Sequence, residues 1–338
     1  MKQAARSVMV CGLLCAVCAG PAPAQETPPI PLHEVKSWGY QLQGLEYPER
    51  LGRLAAAGFD MVVVEPMATM DEYAGFDARG MVDRLKSTLA SLPGYRSVVL
   101  AYVDIGQAEE WRSYFADDWT PPTFFRGGTP DFMVGRDPDG WAGNYPVAYW
   151  DFRWKEIVIY GAGSVLDRII ELGFDGIYLD WVEAYDNELV AGRAEDLRLN
   201  TAEEMVRFIG EIRAYARGKN PDFLVVPQNA PYLVVNADEY LDVIDAVAVE
   251  DLSYSGDGDV EWESRRSGDI ETERGMCEWC REDIARVLTI YREAGLPVFT
   301  VDYCVDSENA REAIRYSRSL GFVPFVSRTP LDRLPDEI

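Results

Sequence analysis

Two short apolar runs in this chain each stop on a carboxylate: Ile177-Tyr178-Leu179-Asp180 and Ala246-Val247-Ala248-Val249-Glu250. Two acids facing one substrate can split a glycosidic bond. One is held protonated to release the leaving oxygen, and the other is ionised to act as base or nucleophile. Either acid alone could cap a helix or partner a buried arginine. Both precede loops rich in Tyr and Asp, so taken together they favour chemistry. Four further strand-like runs also end polar: Val62–Val64 at Glu65, Val98–Val103 at Asp104, Leu224–Val226 before Gln228 and Asn229, and Val298–Val301 at Asp302. Six such endings describe a rim, the way a (β/α)8 barrel gathers functional groups at the C-terminal ends of its strands.

Aromatic residues share those positions. Trp38, Tyr40, Tyr102, Trp111, Trp181, Tyr185, Tyr254 and Tyr303 fall at or just beyond strand ends. Sugar rings offer C–H faces that stack on such rings, while Gln41, Glu65, Asp104, Glu183, Gln228, Asn229 and Asp302 can bond hydroxyl or amino groups. Other chemistries fit less well. The sole histidine, His33, precedes the first strand, which removes Ser-His-Asp and Cys-His arrangements. No Gly-x-Gly-x-x-Gly follows the first strand and no Walker motif occurs, so no nucleotide or other cofactor is expected. A metal held by carboxylates alone is chemically open, but no metal site is expected. Ser255-Gly256-Asp257-Gly258-Asp259 reads as a flexible connection rather than a calcium loop.

The elements that must position these groups alternate strand and helix. Strands are predicted over 37–43, 60–65, 97–103, 176–180, 223–227, 246–250, 297–301 and 322–326. Helices are predicted over 48–57, 77–89, 154–172, 202–217, 282–294 and 307–320, with short helices over 106–115 and 239–244 and a long aromatic loop over 116–149. One joint recurs: Ala57-Gly58-Phe59-Asp60, Leu172-Gly173-Phe174-Asp175, Ala294-Gly295-Leu296-Pro297 and Leu320-Gly321-Phe322-Val323. A left-handed glycine ends the helix and an apolar residue packs back. Eight apolar, β-branched strands with helices between them predict a parallel sheet covered on both faces and closed as a single-domain (β/α)8 TIM barrel over 35–336.

Residues 1–24 read as a bacterial secretory signal. Lys2 and Arg6 precede an apolar stretch from Val8 to Ala19, and Ala22-Pro23-Ala24 forms the cleavage site. Secretion, or export to the periplasm, is therefore expected. Residues 25–34, rich in proline, are expected to be a disordered lead-in. No later segment reaches the ~18 apolar residues of a spanning helix, so no membrane insertion of the mature form is expected. Without Lys2 and Arg6 the chain carries 30 basic against 57 acidic side chains, a net charge of −27. That field repels nucleic acid and attracts cations. Cys277, Cys280 and Cys304 remain after the signal, an odd number. A structural disulfide is expected among them, and Cys304 is a candidate partner for either member of the Cys277-Glu278-Trp279-Cys280 pair.

Several segments resemble one family. Trp38-Gly39-Tyr40-Gln41-Leu42-Gln43 is similar to its opening strand, and Ala101 to Glu109 resembles its "AYLSIGEAE" segment. Gly173-Phe174-Asp175-Gly176-Ile177-Tyr178-Leu179-Asp180 resembles its "GFDGVYLD" strand, and Gln228-Asn229, Val249-Glu250 and Gly321 to Val326 also fit. The family is that of the extracellular endo-α-1,4-polygalactosaminidase-like TIM barrels, glycoside hydrolase family 114 and its close relatives. The resemblance implies a retaining endo-glycosidase acting on galactosamine-rich polysaccharide, with Asp180 as nucleophile and Glu250 as acid/base. The chain departs from the pattern at Asp104, where Ser or Ala is usual, at Trp181, where Asn is usual, and in the loop carrying Cys277. A barrel of this kind that binds glycan without turning it over is the alternative.

Overall fold

Eight parallel strands follow one another in the order the punctuation predicts. They are β1 (Trp38–Gln41), β2 (Met61–Val64), β3 (Val98–Asp104), β4 (Gly176–Asp180), β5 (Leu224–Pro227), β6 (Val247–Glu250), β7 (Val298–Tyr303) and β8 (Val323–Ser327). The computed structural model describes residues 27–66, 75–123, 125–138, 140–237 and 239–336. The expected signal segment lies outside them. Helices of eight or more residues are α1 (Pro48–Ala56), α2 (Ala78–Lys86), α3 (Val165–Leu172), α4 (Glu188–Leu197), α5 (Thr201–Lys219), α6 (Arg281–Glu293) and α7 (Ser307–Ser319). No helix among the described residues is long and apolar enough to cross a membrane.

Hydrogen-bonded ladders join β1 through β5 in sequence and β6 through β8 in sequence. At one seam Asn229 N–H donates to the Ala248 carbonyl at 3.1 Å. At the other, the Trp38 indole N–H donates to the Val323 carbonyl at 3.0 Å. The fold is a (β/α)8 TIM barrel. Its interior is aromatic: Trp38 lies against Tyr40, Tyr178, Phe299 and Phe325 with ring centroids 5.7–6.2 Å apart. Offset and tilted packing of buried rings adds about 0.5–1.5 kcal/mol per pair beyond area burial. All four joint glycines are left-handed, with φ of +69° at Gly58, +87° at Gly173 and Gly295, and +79° at Gly321. An L-residue there would bring its Cβ against the backbone.

Three expectations are corrected. The described part of the 25–34 lead-in is ordered: Ile30 N–H donates to the Arg96 carbonyl at 2.9 Å, Leu32–Glu34 forms a 3-10 turn, and Ile30, Leu32 and Val35 are buried. Its prolines fix an extended path while the apolar residues between them close the bottom of the barrel beside β3. The predicted helix over 106–115 is instead a strand, Gln107–Glu109, paired antiparallel with Asn144–Pro146. Gln107 has a polar partner on each side, Asp137 at 2.5 Å and Asn144 at 2.8 Å, which a helix would not supply. The predicted helix over 154–172 breaks at Gly161-Ala162-Gly163, where Gly163 is left-handed and Ser164 caps α3 by accepting from Asp167 N–H at 3.2 Å.

The cysteines also settle. Cys277 and Cys280 form the disulfide, and Cys304 is a buried free thiol. Cys304 pairs with neither: it lies just past β7, packed with Ala313 of α7 and Tyr254 in a small apolar cluster. Burial, and then nearby Asp302, push that thiol well above its ordinary range.

Candidate active site

In a strand, residues two apart share a face. Tyr178 points into the barrel, its ring 5.3 Å from Tyr40, so Asp180 points inward one layer higher, at the rim. Its carboxylate is surrounded by donors. Oδ1 accepts from Gln228 Nε2 at 2.5 Å and from Trp181 N–H at 2.8 Å, and Oδ2 accepts from the Tyr102 hydroxyl. An ionised carboxylate only accepts, and three donors suit that form.

Glu250 ends β6 two strands away and is held from β5 and β7. Asn229 Nδ2 donates to Oε2 at 2.8 Å and Asn229 Oδ1 accepts from Glu250 N–H at 2.8 Å, while the Tyr303 hydroxyl donates to Oε1. Burial first, and then the charge of Asp180, push the Glu250 carboxyl up from 4.5 to about 7; its two hydrogen bonds oppose the rise. Gln228 and Asn229 are neighbours at the end of β5, one bonding Asp180 and the other Glu250, so the two acids face one stretch of the rim. One carboxyl kept protonated near neutrality beside another held by donors is the division of roles that glycosidic cleavage requires.

The backbone is strained where these groups sit. Trp181, Asn229 and Asp251 have φ of +54°, +57° and +59°, and each lies just past the end of β4, β5 or β6. Left-handed non-glycine residues cost on the order of 1–3 kcal/mol and persist where the surroundings over-determine them. At Trp181 the turn folds the peptide N–H back onto the Asp180 carboxylate. Gly106 makes room for it: a Cβ there would lie 2.2 Å from the Trp181 carbonyl oxygen. Asp251 then turns its own carboxyl into a buried place, where burial and then Glu250 and Asp302 raise its pKa well above the usual range.

The other residues expected at the rim divide. Tyr102, Asn229, Tyr303 and the Trp181 backbone grip the two acids, and Tyr40 lies directly beneath them, bonded to Gln228. Asp104 is a cross-strand neighbour of Asp180, but its Oδ1 is occupied by Gly106 N–H at 3.0 Å and Gln107 N–H at 2.8 Å, which pins the next loop. Burial, followed by Glu109 and Asp180, raises its pKa well above the usual range. Glu65 is gripped by both Arg112 guanidinium nitrogens at 2.7 and 3.0 Å, and Arg112 also bonds Glu109 at 2.6 Å. Glu183 and Tyr185 lie in the 3-10 turn Val182–Asp186, with Tyr185 buried and bonded to Asn236.

Four residues are drawn away from the cleft. Trp38 belongs to the barrel interior. Gln41 spends its amide on the Gln43 and Asp332 carbonyls at 3.1 and 3.2 Å. Asp302 alternates with the inward-facing Tyr303, so it faces outward and accepts from Ser253 and Tyr254 N–H at 2.5 and 3.0 Å. Burial raises its carboxyl to about 6. Tyr254 is buried in the apolar cluster with Cys304 and Ala313. Two residues matter more here than strand-end reasoning gave them. Gln228 was legible only as a polar companion, although it bonds Asp180 directly. Tyr178 buries its hydroxyl beneath both acids, and the period-two position before Asp180 was the signal for it. A cavity of about 730 Å³, lined by Tyr102, Asp104, Trp111 and Arg112 among others, opens on the flank toward α2 and α3 rather than over the acid pair.

Comparison with known proteins shows the kinship of the chain. The sequence pattern of Glycoside-hydrolase family GH114 matches residues 20–336. A protein of Deinococcus radiodurans is 31% identical, over 95% of this chain and 96% of that one, and one of Methanocaldococcus jannaschii is 30% identical, over 89% and 77%; both are called uncharacterized. Among solved structures, Aspergillus fumigatus Ega3 in complex with galactosamine superposes with a TM-score of 0.59 at 15% identity, covering 92% of this chain and 97% of that one. The glycoside hydrolase domain of PelA from Pseudomonas aeruginosa superposes with a TM-score of 0.57 at 21% identity, covering 89% and 97%. At such identities the two structures speak for the barrel, and the sequence match speaks for the kinship: this chain belongs to glycoside-hydrolase family GH114.

Proposed function

We propose that the protein is an exported, retaining endo-glycosidase that cleaves galactosamine-rich, cationic polysaccharide with Glu250 and Asp180. The observation that carries the reading is the pair of rim carboxylates, Asp180 held by Gln228, Tyr102 and the Trp181 N–H and Glu250 held by Asn229 and Tyr303; burial and the charge of Asp180 raise the Glu250 carboxyl in keeping with it. In the first step the Glu250 proton passes to the glycosidic oxygen as that C–O bond breaks. An Asp180 oxygen bonds the anomeric carbon, giving a glycosyl ester. In the second step the Glu250 carboxylate takes a proton from water, the water oxygen attacks the anomeric carbon, and Asp180 leaves as carboxylate. Gln228, Tyr102 and the Trp181 N–H hold Asp180 in place throughout.

The substrate class rests on charge and kinship. A chain with 57 acidic and 32 basic side chains draws polycations, and the Ega3 structure of the same fold was solved with galactosamine. The reading is tested with Asp180→Ala and Glu250→Ala on partially deacetylated galactosamine polymer, following release of reducing ends. Each variant is expected to lose at least 10³-fold in kcat while its thermal transition stays within a few degrees of wild type. Full turnover in either variant ends the assignment. Tight polymer binding by the wild type without any release makes the protein a glycan-binding barrel instead.

A further inference from the structure

The two longest loops of the rim meet. The loop after β3 leaves through the hairpin Gln107–Glu109/Asn144–Pro146, and its tip carries Trp141 between the left-handed Gly140 and Gly143. Asp137 ties that tip down, accepting from Trp141 N–H at 2.9 Å and from Gln107 Nε2 at 2.5 Å. The loop after β6 is anchored on the far side, where the Thr329 hydroxyl donates to the Asp257 carbonyl at 2.6 Å and Arg328 stacks on Trp262 at 5.3 Å. Its Gly258 lies against the benzo edge of the Trp141 indole: a Cβ on Gly258 would sit 2.5 Å from Trp141 Cζ2. Strands β4 and β5, with Asp180, Gln228 and Asn229 at their ends, lie between β3 and β6 in the barrel order. A contact between the β3 and β6 loops therefore spans the arc that holds both acids. Trp141, fixed at its backbone and at one edge, still leaves 48% of its surface exposed.

We infer that Trp141 is a substrate-stacking residue, a sugar platform held over the Asp180–Glu250 pair by its seat on Gly258. Only a glycine lets the indole lie so close to the β6 loop, and the exposed ring offers a sugar the flat apolar surface it needs. The inference rests on the glycan reading of the site above, and its test separates the two.

Binding is measured on the full chain carrying Glu250→Gln, so that polymer stays intact, against partially deacetylated and fully acetylated hexosamine polymers. Trp141→Ala is expected to weaken the best-bound polymer at least 10-fold and Trp141→Phe by about 3-fold or less. Gly258→Ala, which displaces the indole but leaves it in the chain, should also weaken binding, with no further loss when combined with Trp141→Ala. In the active background, Trp141→Ala should raise KM with kcat within twofold. Binding within twofold of the parent in Trp141→Ala, additive losses in the double variant, or no binding of any polymer overturns the inference. Polymer binding that depends on Trp141 in a wild-type protein that cleaves nothing upholds it and overturns the hydrolase instead.

Discussion

Replacing Glu250 by glutamine should stop the chemistry and, above neutral pH, stabilise the fold. Keeping a glutamate ionised where burial and Asp180 raise its pKa from 4.5 to about 7 costs on the order of 3 kcal/mol at pH 8. The side chain is only partly shielded at the rim, and a glutamine that keeps its oxygen on Asn229 Nδ2 must turn its N–H₂ toward the Tyr303 hydroxyl, which then accepts where it donated to the glutamate. Those two corrections bring the expected gain to about 1–2 kcal/mol, a rise in Tm on the order of 2–5 °C. The sign follows from proton binding. The native glutamate holds its proton more tightly than the unfolded one, so its contribution is complete below pH 4.5 and is lost as pH rises through about 7. Wild type and Glu250→Gln should therefore melt alike at pH 4.5 and separate progressively up to pH 8. Differential scanning calorimetry across that range reads the gap. A gap that does not change with pH, or a variant that is less stable at pH 8, would refute the account of why this carboxyl is protonated. The same titration should appear in wild-type kcat/KM as a fall above about pH 7, and Asp180→Asn, by removing the second cause of the shift, should move the stability loss to lower pH.

Two other substitutions probe the support of the site. Gly106→Ala would drive a methyl group into the Trp181 carbonyl, 2.2 Å away; we expect a loss of about 1–3 kcal/mol in denaturant unfolding and at least a tenfold fall in kcat, and unchanged turnover would show that the Trp181 turn does not position Asp180. Arg112→Met leaves Glu65 and Glu109 buried without the guanidinium between them; the expected loss is about 3–5 kcal/mol at pH 8, shrinking as pH falls and Glu109, whose carboxyl burial already raises, takes up its proton, and a loss independent of pH would speak against the charge argument.

Much of this protein was legible in its chain because the signals are local. A glycine and an apolar residue after four of the helices, turn residues such as Pro93-Gly94 and Asn220-Pro221 after others, and a β-branched run after each give eight strands in order, and barrel closure then follows from their number. The acids at 180 and 250 were legible for the same reason, since a strand that ends on a carboxylate needs no knowledge of its neighbours. What the tertiary structure alone decided is which rim residues face the cleft. Asp302 and Tyr303 are adjacent in sequence, but strand pleat sends one to the Ser253–Tyr254 backbone and the other to Glu250. Gln41 and Tyr254 were drawn off by partners far along the chain, at Asp332 and Ala313. Gln107–Glu109 became a strand because the partners of Gln107, Asp137 and Asn144, lie 30 and 37 residues further on. Apolar periodicity fixes where a strand ends; the direction in which its last side chain points, and what that side chain meets, depends on contacts between segments remote in sequence.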